Sequence, residues 1–204
     1  ATGYVIITIP VRGVVQDYVA EIDENGTAHF IIPNLFGGEY RNIRVFYAGD
    51  HNFNGNVTYI NFTVAPTDVY DMDVKVADIT YGQNATVRVF VPSLCDGNAT
   101  IWVDGVKVGT VKIVNGVGVL DNVSGLAGGK HYANATYNGD ANYAAKNFTN
   151  VEFNVNPTTD WKLTITVDEH AYGENTTVYV RANPYNVTNR NLTIYIDNHP
   201  YVVN

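Results

Sequence analysis

Tyr137-Asn138-Gly139-Asp140-Ala141-Asn142-Tyr143 repeats Tyr47-Ala48-Gly49-Asp50-His51-Asn52-Phe53, which stands ninety residues earlier. Gly followed by Asp, flanked by aromatics, is turn chemistry: Gly supplies an unusual φ and Asp bonds nearby backbone N–H groups. Tyr47, Gly49, Asp50, Tyr137, Gly139 and Asp140 are therefore read as structural. A calcium site needs six or more converging oxygens, more than one Asp and a few loop carbonyls supply. Other stretches recur at nearly the same offset. Asn61 to Pro66 matches Phe153 to Pro157, with the prolines 91 apart. Tyr81-Gly82-Gln83-Asn84-Ala85-Thr86-Val87 returns as Tyr172-Gly173-Glu174-Asn175-Thr176-Thr177-Val178. Asn98-Ala99-Thr100-Ile101-Trp102-Val103-Asp104 returns as Asn191-Leu192-Thr193-Ile194-Tyr195-Ile196-Asp197.

A period of about 91 residues suits a two-sheet sandwich of the immunoglobulin-like kind, ~100 residues and ~7 strands. It is too long for a solenoid or propeller repeat of about 20–50 residues. Pro66/Thr67 and Pro157/Thr158 mark the joints. They divide the chain into a partial repeat with the later strands (1–66), a complete repeat (67–157) and a partial repeat with the early strands (158–204). The joints lack a Gly/Ser-rich spacer, so neighbouring repeats are expected to be semi-rigid. Ala1 and Asn204 each fall inside a repeat, so the chain is expected to be a piece of a longer array.

Composition agrees with strands. Among 204 residues are 30 Val, 25 Asn, 20 Thr and 15 Tyr, but only 2 Ser. Val, Thr and Tyr favour strands, and Asn and Gly favour turns. The fold class is all-β. Apolar residues at 46% supply a core, which excludes a disordered tail. A net charge of −8 argues against a nucleic-acid partner, whose phosphates need a positive footprint. One Cys excludes a disulfide framework, and no apolar run reaches the ~18–20 residues of a membrane span.

Within the complete repeat, strands are expected near Val74–Val76, at Val87/Val89/Val91 (one face), at Ile101/Val103 (inward), at Val117/Val119, at Ala133/Ala135/Tyr137 (an inner row) and at Val151/Phe153/Val155, which close the repeat. Asn115-Gly116 signals a hairpin. Ile43/Val45/Tyr47 and Ile60/Phe62/Val64 echo the last two rows in the first unit. Gly37-Gly38-Glu39-Tyr40 and Gly128-Gly129-Lys130-His131-Tyr132 precede the strand that ends in the motif. Tyr40 and Tyr132 are expected to act as tyrosine corners, each hydroxyl capping backbone at a sandwich edge.

On the Tyr-x-Gly-Asp-x-Asn-Tyr segment, Gly-Gly-x-Tyr and Tyr-Gly-x-Asn-x-Thr-Val, the chain resembles prokaryotic Ig-like repeats. These occur in tandem in large adhesin-like surface proteins, notably those of methanogenic archaea. The resemblance spans essentially the whole chain, though the first unit has a longer second hairpin, Val14 to Glu24, and the third lacks the motif. It implies extracellular display, stalk building and attachment to cells or surfaces. The partners implied are neighbouring Ig-like repeats of the same or adjacent chains, and host-cell or surface glycans and proteins.

Asn-x-Ser/Thr triplets begin at Asn25, Asn56, Asn61, Asn84, Asn98, Asn122, Asn134, Asn147, Asn175, Asn186 and Asn191. Composition alone gives about 2.7 such triplets. Asn and Thr two apart share one strand face, and Asn61/Thr63, Asn134/Thr136 and Asn191/Thr193 fall opposite their inward rows. Alternating polar faces in an Asn/Thr-rich chain also generate such triplets. Several are expected to carry glycans in the native source.

No cofactor or catalytic set is expected. Ser93 and Ser124 lie outside any Gly-x-Ser-x-Gly, and the five His show no tight ligand spacing. Asp168-Glu169-His170 reads as a turn, and Cys95 as a partly buried free thiol. Lys75 or Lys162 with Asn154 or Asn156 would supply a Lys–Asn isopeptide bond, but the two lysines do not align between repeats. Trp102 and Tyr195 occupy equivalent outward positions, suited to sugars, to a neighbouring domain or to cross-strand packing. The favoured expectation is a non-enzymatic extracellular stalk. The alternatives are a glycan- or protein-binding module and a filament segment joined by strand exchange between partial repeats. The two partial repeats together exceed one period by about 22 residues, which counts against clean exchange.

Overall fold

The computed structural model describes residues 1–183 and 191–203. It is all-β: no helix occurs among the described residues, and none is long and apolar enough to cross a membrane. The chain divides into two compact units, Ala1–Val155 and Asn156–Asn204.

The first unit opens with a four-stranded antiparallel sheet. Its strands are β1 (Tyr4–Val11), β2 (Val14–Glu21), β3 (Gly38–Gly49) and β4 (Asn54–Val64), in the order β2-β1-β3-β4. Arg12 and Gly13, both at positive φ, turn β1 into β2. Ile7, Ile9, Val11 and Ile43 form the buried row, and Phe30, Ile32 and Leu35 from the connection lie on it with Tyr18, Tyr40 and Phe62. No second sheet pairs with that connection among the described residues, so the far end of the β4 row stays open: Ile60 is 40% exposed.

The same unit then forms two facing sheets. Strands β5 (Asp73–Val76), β7 (Ala85–Phe90) and β10 (Val117–Val123) make a three-stranded sheet. Strands β6 (Ile79–Thr80), β8 (Asn98–Val103), β9 (Val106–Lys112), β11 (Gly129–Tyr137) and β12 (Lys146–Asn156) make a five-stranded one, ordered β6-β12-β11-β8-β9. Val74, Val87 and Val89 of the first meet Ile101, Val103, Tyr137, Phe153 and Val155 of the second in one core, a layering consistent with a β-sandwich. Four alanines (Ala85, Ala99, Ala133, Ala135) are as buried as the large residues. Their small side chains make room for the Tyr137 and Phe153 rings, since a core packs to constant density.

β1-β2-β3-β4 and β8-β9-β11-β12 have matching pairings, with Gly38, the first residue of β3, opposite Val64 and Gly129, the first of β11, opposite Val155. Asn115 (φ 50°) and Gly116 (φ 81°) form the expected turn. In the strand that follows this turn, Val119 is 36% exposed, while Gly118 is buried. Pairing decides this: Gly118 stands opposite buried Val89 and Val119 opposite exposed Arg88. A Cβ on Gly118 would come within 2.8 Å of Ile113 and Val111 side-chain carbons, so the inner site is already filled.

The second unit contains two hairpins, β13 (Lys162–Val167) with β14 (Val178–Asn183) and β15 (Leu192–Ile196) with β16 (His199–Val203). None of their described residues is buried.

Candidate functional site

The repeated motif forms the tip between β3 and β4, and again between β11 and β12. Gly49 (φ 91°) and Gly139 (φ 84°) adopt the left-handed conformation that the turn requires. Asp50 Oδ1 accepts the N–H groups of Asn52 and Phe53 at 2.8 and 2.7 Å; Asp140 Oδ1 accepts those of Asn142 and Tyr143 at 2.7 and 2.8 Å. Each second oxygen reaches back to the segment before the neighbouring strand, Asp50 to Thr2 N–H at 2.7 Å and Asp140 to Asp96 N–H at 2.8 Å. The tyrosines complete the clasp. Tyr47 donates to the Thr2 carbonyl at 3.0 Å. Tyr137 donates to Asp140 Oδ2 at 2.5 Å and accepts Gly97 N–H at 3.0 Å.

Electrostatics follow this geometry. The Thr2 and Asn52 N–H groups, ahead of smaller effects, hold the Asp50 carboxyl well below the usual range. Burial raises the Asp140 carboxyl, but donation by Tyr137 and the Asp96, Tyr143 and Asn142 amides outweighs it, and the net shift is downward. Burial, then Asp140, pushes the Tyr137 phenol up. Burial likewise drives Tyr70 up to about 12. Tyr70 donates to the Ala144 carbonyl, and the Lys146 ammonium donates to the Tyr70 carbonyl and lies over its ring. An ionised carboxylate that accepts from loop amides and from a neutral phenol organises the loop.

Tyr40 donates to the Phe36 carbonyl at 3.0 Å and stacks on Phe62, as a corner residue does. Tyr132 does not hold that place. It is 40% exposed on the outer face, its hydroxyl 3.4 Å from Glu152. The corner is taken one residue earlier by His131, which is buried against Phe153 with Nε2 2.8 Å from the Ala127 carbonyl. Tyr40 and His131 each follow the second glycine by two, and that spacing was the missed signal. His131 Nδ1 also lies 2.6 Å from Asp104 Oδ2. Both ring nitrogens thus face acceptors, which suits imidazolium. Asp104, then the Ala127 carbonyl, raises the His131 pKa against the effect of burial.

Of the asparagines that open triplets, Asn25, Asn56, Asn61, Asn84, Asn98, Asn122, Asn147, Asn175 and Asn191 are exposed. Asn134 is half-buried, and Asn186 lies outside the described residues. Asn61 and Asn134 each serve a backbone bulge, a duty that alternation did not reveal. Asn61 Oδ1 accepts Asn42 N–H at 2.8 Å, and Asn134 Oδ1 accepts Asn150 N–H at 2.7 Å. Asn42 and Asn150 sit at positive φ where strand register shifts, so each triplet asparagine caps a bulge. Asn56 sits in register with Ile60 and Phe62, on the row that faces the core side of β4.

Trp102 is half-buried opposite Asn134, whereas Tyr195 is 69% exposed. Cys95 is buried beside Tyr137, and burial raises its thiol pKa. Lys75 pairs with Asp73 on the three-stranded sheet, while Asn154 lies on β12 of the other sheet. Among the described residues no three His, Cys, Asp or Glu side chains gather to hold a metal. A cleft of about 320 Å³ lies beside the Asp140 loop, between Arg12, Leu35, Phe36, Leu94 and Tyr143. Comparison with protein-family models and with characterised proteins finds no match.

Proposed function

We propose that the chain is a stretch of tandem Ig-like repeats serving as a non-enzymatic stalk in an extracellular, adhesin-like surface protein. The observation that carries this reading is the duplicated clasp. Asp50 and Asp140 make the same four-residue turn, on equivalent sheets, at one sequence period. Nearly all the polar groups brought together there are spent on backbone, as a load-carrying spacer requires. Exposed triplet asparagines on both compact units support display outside the cell, where glycans would shield a surface of few charges.

The stalk reading expects no saturable binding when the chain is offered to glycan arrays or whole cells. Specific binding abolished by Trp102→Ala would overturn it in favour of a recognition module. Mass spectrometry of the natively produced protein should find glycopeptides containing exposed triplets such as Asn98 or Asn175. Bare asparagine at every triplet would remove the glycoprotein part of the reading.

A further inference from the structure

The Asp140 loop reaches beyond its own repeat. Asn142 Oδ1 accepts the Gly37 N–H at 2.7 Å, and Gly37 belongs to the corner before β3. The Asn142 carbonyl accepts Thr67 N–H at 2.9 Å, and Ala144 N–H donates to the Thr67 carbonyl at 2.9 Å. Thr67 and Tyr143 form a short parallel bridge inside the second repeat, directly after the Pro66 joint. A Cβ on Gly37 would lie 1.7 Å from the Ala141 carbonyl oxygen, so the corner needs glycine here for space. Asp140 binds the Asn142 and Tyr143 amides, so the loop is fixed before it meets the corner.

The same two parts recur elsewhere in the chain. Asp50 fixes Asn52 as Asp140 fixes Asn142, and Asn52 is exposed. Gly128 is the counterpart of Gly37, and a Cβ there would find nothing closer than the Val155 carbonyl oxygen at 3.9 Å. A loop held by its own aspartate, with the asparagine pointing outward, is pre-organised for a partner.

We propose that the asparagine of the Asp-x-Asn loop is an inter-repeat plug, which recognises the side-chain-free Gly-Gly corner of another repeat. The inference rests on the tandem-repeat reading and gives the motif a partner: a second glycine corner of the same class. Asn142 and Gly37 are the engaged pair in this chain.

The test is hydrogen exchange on the full 204-residue chain, with paired variants at equivalent positions. Asn142→Leu should speed exchange of the Gly37 and Thr67 amides about tenfold or more, while the Val87, Ile101 and Ala135 amides keep their rates. Asn142→Asp keeps the acceptor and should keep the protection. Asn52→Leu, at the same place in the other motif, should leave Gly37 and Thr67 unchanged. Gly37→Ala attacks the joint from its other side and should reproduce Asn142→Leu, whereas Gly128→Ala should not. Unchanged Gly37 and Thr67 exchange in Asn142→Leu would overturn the proposal. So would equal loosening by Asn52→Leu, or loss of protection throughout the sandwich in Asn142→Leu with none at the joint in Gly37→Ala. Any of these would leave the stalk reading intact, because glycan and cell binding test that reading separately.

Discussion

Asp50 and Asp140 close the same turn, yet their surroundings separate them. Asp140 is partly buried and serves two loop amides, the Asp96 amide and the Tyr137 hydroxyl. Asp140→Ala strands these donors at the edge of a packed core and should cost about 2–3 kcal/mol in urea unfolding. Asp50→Ala, with its donors open to water, should cost distinctly less. Asn61 offers a second contrast. Asn61→Ala removes the acceptor for the Asn42 amide as well as the triplet, and should lower stability by about 1 kcal/mol even in protein without glycans. Thr63→Val also destroys the triplet but spares that bond, so its thermal unfolding should match the parent. A sequence pattern names Asn61 and Asn98 as equals. Only the bulge at Asn42 shows that one is also a backbone cap.

At the scale of elements, the β8–β9 turn and the corner before β11 are tied by His131 and Asp104. The folded pKa of His131 is raised above 6.5, so its contribution is complete below 6.5 and disappears as pH rises through the folded value. Asp104 is lowered: burial raises it, but Tyr132 N–H and His131 outweigh burial. Its contribution is present above 3.8 and disappears as pH falls through the folded value. Stability measured by urea unfolding should therefore fall as pH climbs from 6 towards 9, and His131→Tyr should flatten that slope. Tyrosine is the natural replacement because Tyr40 already fills the equivalent corner. This element shows where sequence reading succeeds and where it stops. Alternation placed Val87 and Val89 on one shared face and Ile101, Ala133, Ala135 and Tyr137 inward, and each is buried. Asn115-Gly116 announced its own turn through backbone preference. Faces and corners that depend on cross-strand partners were harder to read. Val119 looks apolar enough for the core until its pairing with Arg88 turns it outward. Tyr132 looks like the corner until the one-residue difference between the two Gly-Gly segments is counted.

Over the whole molecule, protection should follow the layers. The sandwich buries complete rows on two facing sheets, whereas β13–β14 and β15–β16 are two-stranded hairpins, and such hairpins are marginal in water. Amides of β13 and β15 should exchange orders of magnitude faster than those of β7 and β11, and comparable rates would contradict this layering. The candidate joint at Asn142 was invisible in the sequence for a different reason. Asn52 and Asn142 looked like copies of one turn residue, and only the 2.7 Å contact with Gly37, 105 positions away, separates their roles. Cys95 adds a practical consequence. The chain has a single thiol, and it is sealed in the sandwich at 3% exposure. An alkylating reagent can reach it only when the layers part, so its labelling rate is a stopwatch for opening of this one sandwich. No added dye or engineered cysteine is needed, and the other sheets contribute no background.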